Sequence, residues 1–338
     1  MGATLEMLNS IKKLAETGHH AAVAQQLGEL PAQDLEQSPT LALLFGIAQA
    51  RLGHHSIGKQ WVGIGLETAR ARRDHAVEAR ALNVSGAIAF EEGRIDDAVS
   101  YFTRGLGEAE RLSDRATVGR CSNNLGIIAS LRGEFGRAIG SYTMALAAFQ
   151  QVRHRAGVAE ALHNLAITYR ELSDLAKALE AEERALQESG AAGEVALEAK
   201  IRCGRAEIRL MGGDAEVAQR EVQNALMMQR EIGDVVGEAE SLRVLAGALA
   251  ALGQLMQAEA MLYEVIGRAA TVNRPLLLAK AERDLAGLLH REQRDEQASA
   301  LAGKARDRFE KLGATVEVRR LDDLMAEVTA WPAGREGG

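Results

Sequence analysis

Apolar positions along the chain recur with the period of a helix, and the helical pattern itself recurs. Over residues 241–252, Leu242, Leu245, Leu249 and Leu252 keep the i, i+3, i+7, i+10 spacing that lines one helical face. A partner pattern runs through Ala138, Tyr142, Ala145, Leu146 and Phe149. Self-comparison gives a period of 40. Small residues stand at Gly46, Gly86, Gly126, Ala166, Ala206, Ala246 and Ala286, and again at Gly58, Ala98, Ala138, Ala178, Ala218, Ala258 and Ala298. Between these rows lies a turn row: Gly53, Gly93, Gly133, Ser173, Gly213, Gly253 and Gln293. Seven units keep register without an inserted residue, and each reads as two helices. Ser113-Asp114 and Gly233-Asp234 place a turn former before an N-capping Asp, and Ser38-Pro39 places a cap before a proline at the first helical position.

A helical Gly costs about 1 kcal/mol relative to Ala, so three in one row need a compensating contact. Four units carry Ala there, so the requirement is a small side chain where two helices press together. The adjacent row holds Phe102, Tyr142, Val222 and Leu262, each contributing roughly 1.5–3 kcal/mol when buried. No unit alone buries enough apolar surface, so the array is expected to fold by stacking.

The stretch NNLGIIASLRGEFGRAIGSYTMAL, residues 123–146, has a small residue, a turn Gly seven later, a small residue twelve later, an aromatic four beyond that, and then Ala-Leu. It resembles the tetratricopeptide repeat. The unit length is similar to the longer repeats of kinesin light chain, of Pins/LGN-type polarity scaffolds and of bacterial Rap and PlcR peptide-sensing regulators. The resemblance implies an all-α fold: a right-handed α-solenoid of about eight helix-turn-helix units. Residues 1–312 form the array, with a weak first unit at 5–30 and seven in-register units from about 39. Residues 313–330 form a C-terminal capping helix, with Val316, Leu321, Leu324 and Val328 on its apolar side, and 331–338 read as a flexible tail.

Composition narrows the function classes. The 338 residues are 47% hydrophobic and 4% aromatic, with 40 Lys plus Arg against 47 Asp plus Glu, for a net charge of −7. This is an ordered chain, and its charge and few aromatics argue against nucleic acid as a partner. Glu6 and Lys12-Lys13 interrupt any early apolar run, so no signal peptide or membrane insertion is expected. Two cysteines, Cys121 and Cys203, cannot build a disulfide framework and suit a reduced cytoplasm.

No phosphate loop, nucleophile elbow, HExxH or CxxC occurs, so neither enzyme activity nor a cofactor is expected. His19-His20 and His54-His55 follow the turn Gly of the first two units. His20 and His55 stand where later units carry Ile95, Phe135, Leu175 and Leu255, which favours half-buried turn residues over metal ligands. The two cysteines read as small apolar filler.

The resemblance implies that the first helix of each unit lines a concave groove. Its exposed positions are then Leu43, Leu44, Ile47, Asn83, Phe90, Asn123, Asn124, Ile127, His163, Asn164, Arg170, Arg243, Arg283, Asp284 and His290. An Asn supplies a donor and an acceptor and can satisfy the backbone of an extended guest. In the resembling families an Asn two before the small residue does this, and Asn124 and Asn164 match. The alternative, in which these Asn tie helices together, stays open. In the sixth unit Arg202, Arg205 and Arg209 occupy rows that are apolar elsewhere, while Ile201, Gly204, Ile208 and Met211 form a stripe one position earlier. Buried unpaired guanidiniums would be prohibitive. A rotation of about one residue would turn Arg202 and Arg209 into the groove beside Arg170 and Arg243. Neutralisation by Glu207, Glu171 or Glu240 is the open alternative.

The expected function is a protein-interaction scaffold or adaptor that holds an extended or disordered peptide of a partner, apolar at one end and acidic at the other. The candidate contacts are Asn83, Asn123, Asn124, Ile127, His163, Asn164, Arg170, Arg202, Arg209 and Arg243. The protein itself is expected to be a monomer or a weak homo-oligomer. The alternative is a Rap-like peptide-sensing regulator that controls an enzyme by a change in superhelical pitch, although the chain lacks a recognisable Rap-type N-terminal domain. Additive stacking makes one prediction: excising residues 114–153 should leave a soluble chain with strongly helical circular dichroism, and an unfolded product would contradict the repeat reading.

Overall fold

The computed structural model describes residues 5–16 and 18–330, and among these all regular structure is α-helical. Three helices come first, α1 (Leu5–Glu16), α2 (His20–Gly28) and the short α3 (Ala32–Gln37). Seven helix pairs follow: α4 (Pro39–Arg51) with α5 (His55–Arg72), α6 (His75–Glu91) with α7 (Ile95–Arg111), α8 (Arg115–Leu131) with α9 (Phe135–Gln151), α10 (Arg155–Glu171) with α11 (Leu175–Ala192), α12 (Val195–Met211) with α13 (Ala215–Glu231), α14 (Val235–Ala251) with α15 (Leu255–Thr271), and α16 (Pro275–Arg291) with α17 (Asp295–Lys311). The last helix, α18 (Thr315–Ala330), begins 40 residues after α16 and so takes the place of one more first helix. The expected tail at 331–338 lies outside the described residues, as does the side chain of Val328. The fold is all-α and of the α-solenoid class. The chain divides into two compact units, Met1–Leu125 and Gly126–Gly338, with the division inside α8.

The backbone keeps the expected punctuation. Every member of the turn row is left-handed, from Gly53 at φ 86° to Ser173 at 60° and Gln293 at 61°. A second left-handed row, apparent in the sequence only at Ser113 and Gly233, ends each second helix: Arg73, Ser113, Arg153, Gly193, Gly233, Asn273 and Gly313. Only three of these seven are glycine, so composition hides the period even though the conformation holds it. The N-caps stand where expected. The Asp114 carboxylate accepts from the Thr117 amide (3.2 Å) and hydroxyl (2.8 Å), and Asp234 accepts from Gly237 (2.9 Å). Ser38 accepts from Leu41 at 3.4 Å ahead of Pro39.

Close approach explains the small-residue row. In the first unit a Cβ added to Gly46 would lie 2.7 Å from the Val62 amide nitrogen, and one on Gly86 would lie 2.6 Å from the Phe102 ring. In the second unit Gly126 meets Tyr142 in the same way, also at 2.6 Å. Units with Ala in this row carry a thinner side chain sixteen residues on, as Ala206 with Val222 and Ala246 with Leu262. Size is matched within these pairs, glycine under an aromatic at Gly86 and Gly126 and alanine under an aliphatic at Ala206 and Ala246, while Gly46 lies under Val62 because there the two backbones themselves meet.

One pair departs from this. In place of an aromatic or aliphatic, Glu182 occupies the partner position of Ala166 and is fully buried, its carboxylate 2.9 Å from His163 Nδ1. Both lie against Gly204, where a Cβ would be 2.6 Å from Glu182 Oε1 and 2.7 Å from His163 Cε1. Gly204 thus makes room for a buried polar pair, which each partner satisfies for the other.

The one-residue rotation expected of α12 does not occur. The helix starts 40 before α14, and Ala206 is fully buried like Ala246. The three arginines stay in their rows and escape along their own length, since a guanidinium on a long stem reaches the rim while its methylenes cover apolar surface. Arg202 pairs with Glu198 (2.7 Å), Arg205 with Glu183 (2.9 Å) and Glu221 (3.0 Å), and Arg209 with Asp214 (3.6 Å). The histidine reading holds for His20, which is half-buried, while His55 is exposed.

Pairwise size matching makes a test. Gly126→Ala gains about 1 kcal/mol of helix propensity but drives a methyl into the Tyr142 ring, a clash costing about 1–3 kcal/mol, so net destabilisation is expected. Adding Tyr142→Leu, the combination seen at Ala246 and Leu262, should restore part of the loss in a denaturant titration relative to Tyr142→Leu alone.

Candidate functional site

The expected site residues fall into three separate groups. In the first unit the amides form a tie between helices: Asn124 on α8 donates to Asn83 Oδ1 on α6 at 3.0 Å, and the Cys121 thiol approaches the same oxygen at 3.5 Å. Asn83 and Asn124 remain half-buried, whereas Asn123 is buried. Ile47 on α4 and Val84 and Ile88 on α6 are partly buried, packed against the core cluster that contains Leu43 and Leu82. Burial pushes the Cys121 thiol up to about 12 and that of Cys203 likewise to about 12, so both stay protonated at neutral pH and neither is a ready nucleophile.

In the second unit Ile127 packs near Tyr142 and Leu165, and Asn164 is buried, its backbone carbonyl accepting from the Thr168 hydroxyl at 3.2 Å. His163 is committed to Glu182, away from any open face. Among the described residues no three His, Cys, Asp or Glu side chains are grouped to hold a metal ion, and no helix is long and apolar enough to cross a membrane.

The arginines form the third group, in an arrangement that the sequence did not disclose. Arg170 at the end of α10 pairs with Glu207 of α12 and with neighbouring Glu171 (3.0 Å). Glu207 also accepts from Arg243 of α14 at 2.7 Å, and Arg243 donates to Asp284 of α16 at 2.8 Å. Asp284 accepts from Arg283 at 2.6 Å, and Arg283 pairs with Glu317 of α18. Glu317 accepts from Arg320 at 3.4 Å, and Arg320 donates back to Glu171 at 2.6 Å. The circuit is closed, with a positive and a negative group alternating at every step.

Electrostatics follow from this alternation. Burial alone would raise the Glu207 carboxyl, but Arg170 and Arg243 on either side outweigh it and hold the group well below the usual carboxylate range. Asp284 and Glu317 are lowered in the same way, against burial, by Arg283 with Arg243 and by Arg283 with Lys280. Burial would lower Arg243 too, yet Glu207 and Asp284 raise it well above its ordinary value. Arg170 and Arg243, expected to face a guest, are therefore already neutralised within the protein. The expected neutralisers Glu207, Glu171 and Glu240 do act, on Arg170 and Arg243 rather than on the α12 arginines. A signal was available: Glu207, Arg243 and Asp284 alternate in sign at intervals of 36 and 41 residues, about one unit apart.

Helix pairs repeated at constant phase around a small-residue contact define a helical repeat array. Residues 77–151 and 120–187 match the family model of the tetratricopeptide repeat. Residues 77–187 carry tetratricopeptide repeats, and the fold of the chain is similar to that of Rap proteins. A Rap protein solved in complex with competence and sporulation factor superposes with a TM-score of 0.64 at 15% identity, covering 95% of this chain and 97% of that one. The apo form of RapI gives 0.61 at 14% identity, with 85% and 99% covered. The Rap conjugation gene regulator of the plasmid pLS20, in complex with the Phr* peptide, gives 0.56 at 14%, with 80% of each chain covered. A search of curated proteins finds no match to the chain.

Glu207 serves two guanidiniums, so Glu207→Gln should destabilise the second unit by about 2–4 kcal/mol at neutral pH, because it leaves buried charge uncompensated. The acid limb has a definite sign. Carboxylates whose folded pKa lies below the ordinary value near 4 contribute full stability above that value and lose it as pH falls through the folded value. The unfolding midpoint should therefore be flat from about pH 8 to about pH 5 and fall below about pH 4. Glu207→Gln should show a shallower fall, measured by denaturant titration across pH.

Proposed function

We propose that this protein is an interaction scaffold that binds an extended or disordered peptide segment of a partner protein along the faces of its first helices. The observation that carries this reading is the half-buried amide pair Asn83 and Asn124, together with the partly buried apolar side chains Ile47, Val84 and Ile88. An amide already engaged once retains donors and acceptors for a guest backbone, and the apolar side chains supply the contact area that hydrogen bonds alone do not. The tetratricopeptide fold supports the general class, since arrays of this kind present long side-chain ladders to other chains. In this reading Ile127 is a corresponding contact in the second unit, whereas Asn123 and Asn164 are buried and do not meet a guest directly. Arg170 and Arg243 meet an acidic guest end only by exchanging it for an internal carboxylate.

The test works with the protein alone, before any natural partner is identified. Peptides recovered by panning a random library against the whole protein should bind the Asn83→Ala/Asn124→Ala variant about 5- to 150-fold more weakly, the range for losing two hydrogen bonds at about 0.5–1.5 kcal/mol each. Affinity equal to that of the parent protein, with unchanged circular dichroism, would remove these amides from the binding site.

A further inference from the structure

The charge circuit closes through α18, and that closure is a long-range contact. Arg320 donates to Glu171 at 2.6 Å across 149 residues of sequence, and the Thr315 hydroxyl donates to the Arg132 carbonyl at 2.7 Å across 183. Val316 lies against the left-handed turn at Gly133, where an added Cβ would be 3.1 Å from its methyl. On its other side α18 is fixed to its sequence neighbours by burial: Leu321 is fully buried in the cluster that contains Phe309 and Ala305. The two attachments differ in extent. One is a large apolar joint to α16 and α17; the other combines polar bonds with a smaller apolar contact, Val316 on Gly133 and Leu131 of α8 on the Leu321 cluster, and its Arg320–Glu171 pair is part-buried, the arginine side chain 39% and the glutamate 9% exposed. Exposed ion pairs and single hydrogen bonds contribute little and are screened by salt, whereas buried apolar joints are not.

We propose that α18 is a latch that closes the second unit end to end and that releases at its polar contacts, Arg320 with Glu171 and Thr315 with Arg132, while the apolar joint stays intact. The open form separates Glu317 and Arg320 from α10 and frees the inner carboxylates and guanidiniums for a guest. This last clause rests on the groove reading above; the latch itself does not. Release is graded by ionic strength and by any ligand that pairs with Glu171 in place of Arg320.

The experiment places spin labels on Arg137→Cys in α9 and Asp323→Cys in α18, both exposed, in the full chain. The native cysteines are buried with strongly raised thiols and do not compete for the label. Pulsed dipolar spectroscopy should give one short distance at low salt. A longer population should grow as sodium chloride rises from about 0.05 to about 1 M, with helical circular dichroism unchanged. Arg320→Glu, which sets three carboxylates together, should show the long population at low salt. Arg320→Lys should retain the short one, because it keeps the charge. An unchanged distribution in Arg320→Glu, or Arg320→Lys behaving like Arg320→Glu, overturns the latch. A panned peptide that keeps its affinity for Asn83→Ala/Asn124→Ala, and so binds elsewhere than at those amides, should bind Arg320→Glu at least threefold more tightly than the parent; equal or weaker binding overturns the freeing of the inner charges.

Discussion

Everything in this array depends on the approach of two helices at one small residue per unit. The contact is so close at Gly86 and Gly126 that a methyl group would overlap an aromatic ring. Because the residue sixteen positions on fills the space, the small residue and its partner are chosen together. This pairing sets the crossing of each helix pair, the crossing sets the phase of the next, and the phase places a definite set of side chains on the face of every first helix. The same constraint holds α12 in register in spite of three arginines in apolar rows. Long side chains can bend outward at modest cost, whereas a helix that turned by one residue would lose the Ala206 contact and expose Ile201 and Ile208.

Much of this was legible in the sequence because it is local or strictly periodic. The 40-residue period, the left-handed turn row, the caps at Asp114 and Asp234 and the helical class all follow from spacing and residue type. The second left-handed row was legible only at Ser113 and Gly233, read as turn formers ahead of a capping Asp, since Arg73 and Arg153 carry no compositional mark of their conformation. Periodicity likewise offers no reason for an acid in a core row. Glu182 is understandable only once His163 and Gly204 are seen to surround it.

The candidate site was legible in position but not in state. Reading every fortieth residue groups Arg170, Arg243, Arg283 and Asp284 as exposed residues of one face, and these four turn out to be members of the ion-pair circuit, with Arg170 and Arg243 buried. Whether such residues await a partner or already have one is a question of distances between different repeats. Four of the eight steps of the circuit span about one repeat and were in principle readable as alternating sign. The last step joins Arg320 to Glu171, and no periodic reading discloses where a chain returns to itself. The circuit also bears on energetics. Replacing all eight groups by well-packed apolar ones would cost little, whereas removing any one strands its neighbours, so the members are tied to one another more tightly than to the stability of the fold.

The return of α18 to α10 has a consequence for copy number. An open stack of repeats gains or loses a unit by tandem duplication or deletion of forty codons, and each such event leaves the remaining contacts intact. A stack whose ends touch has no such freedom. One unit more between Glu171 and Arg320 would carry Thr315 past the Arg132 carbonyl, and one fewer would leave it short. In Gly126–Gly338 a unit gained or lost between Glu171 and Arg320 therefore forfeits both closing bonds and opens the charge circuit, while the stacked contacts of the remaining units persist.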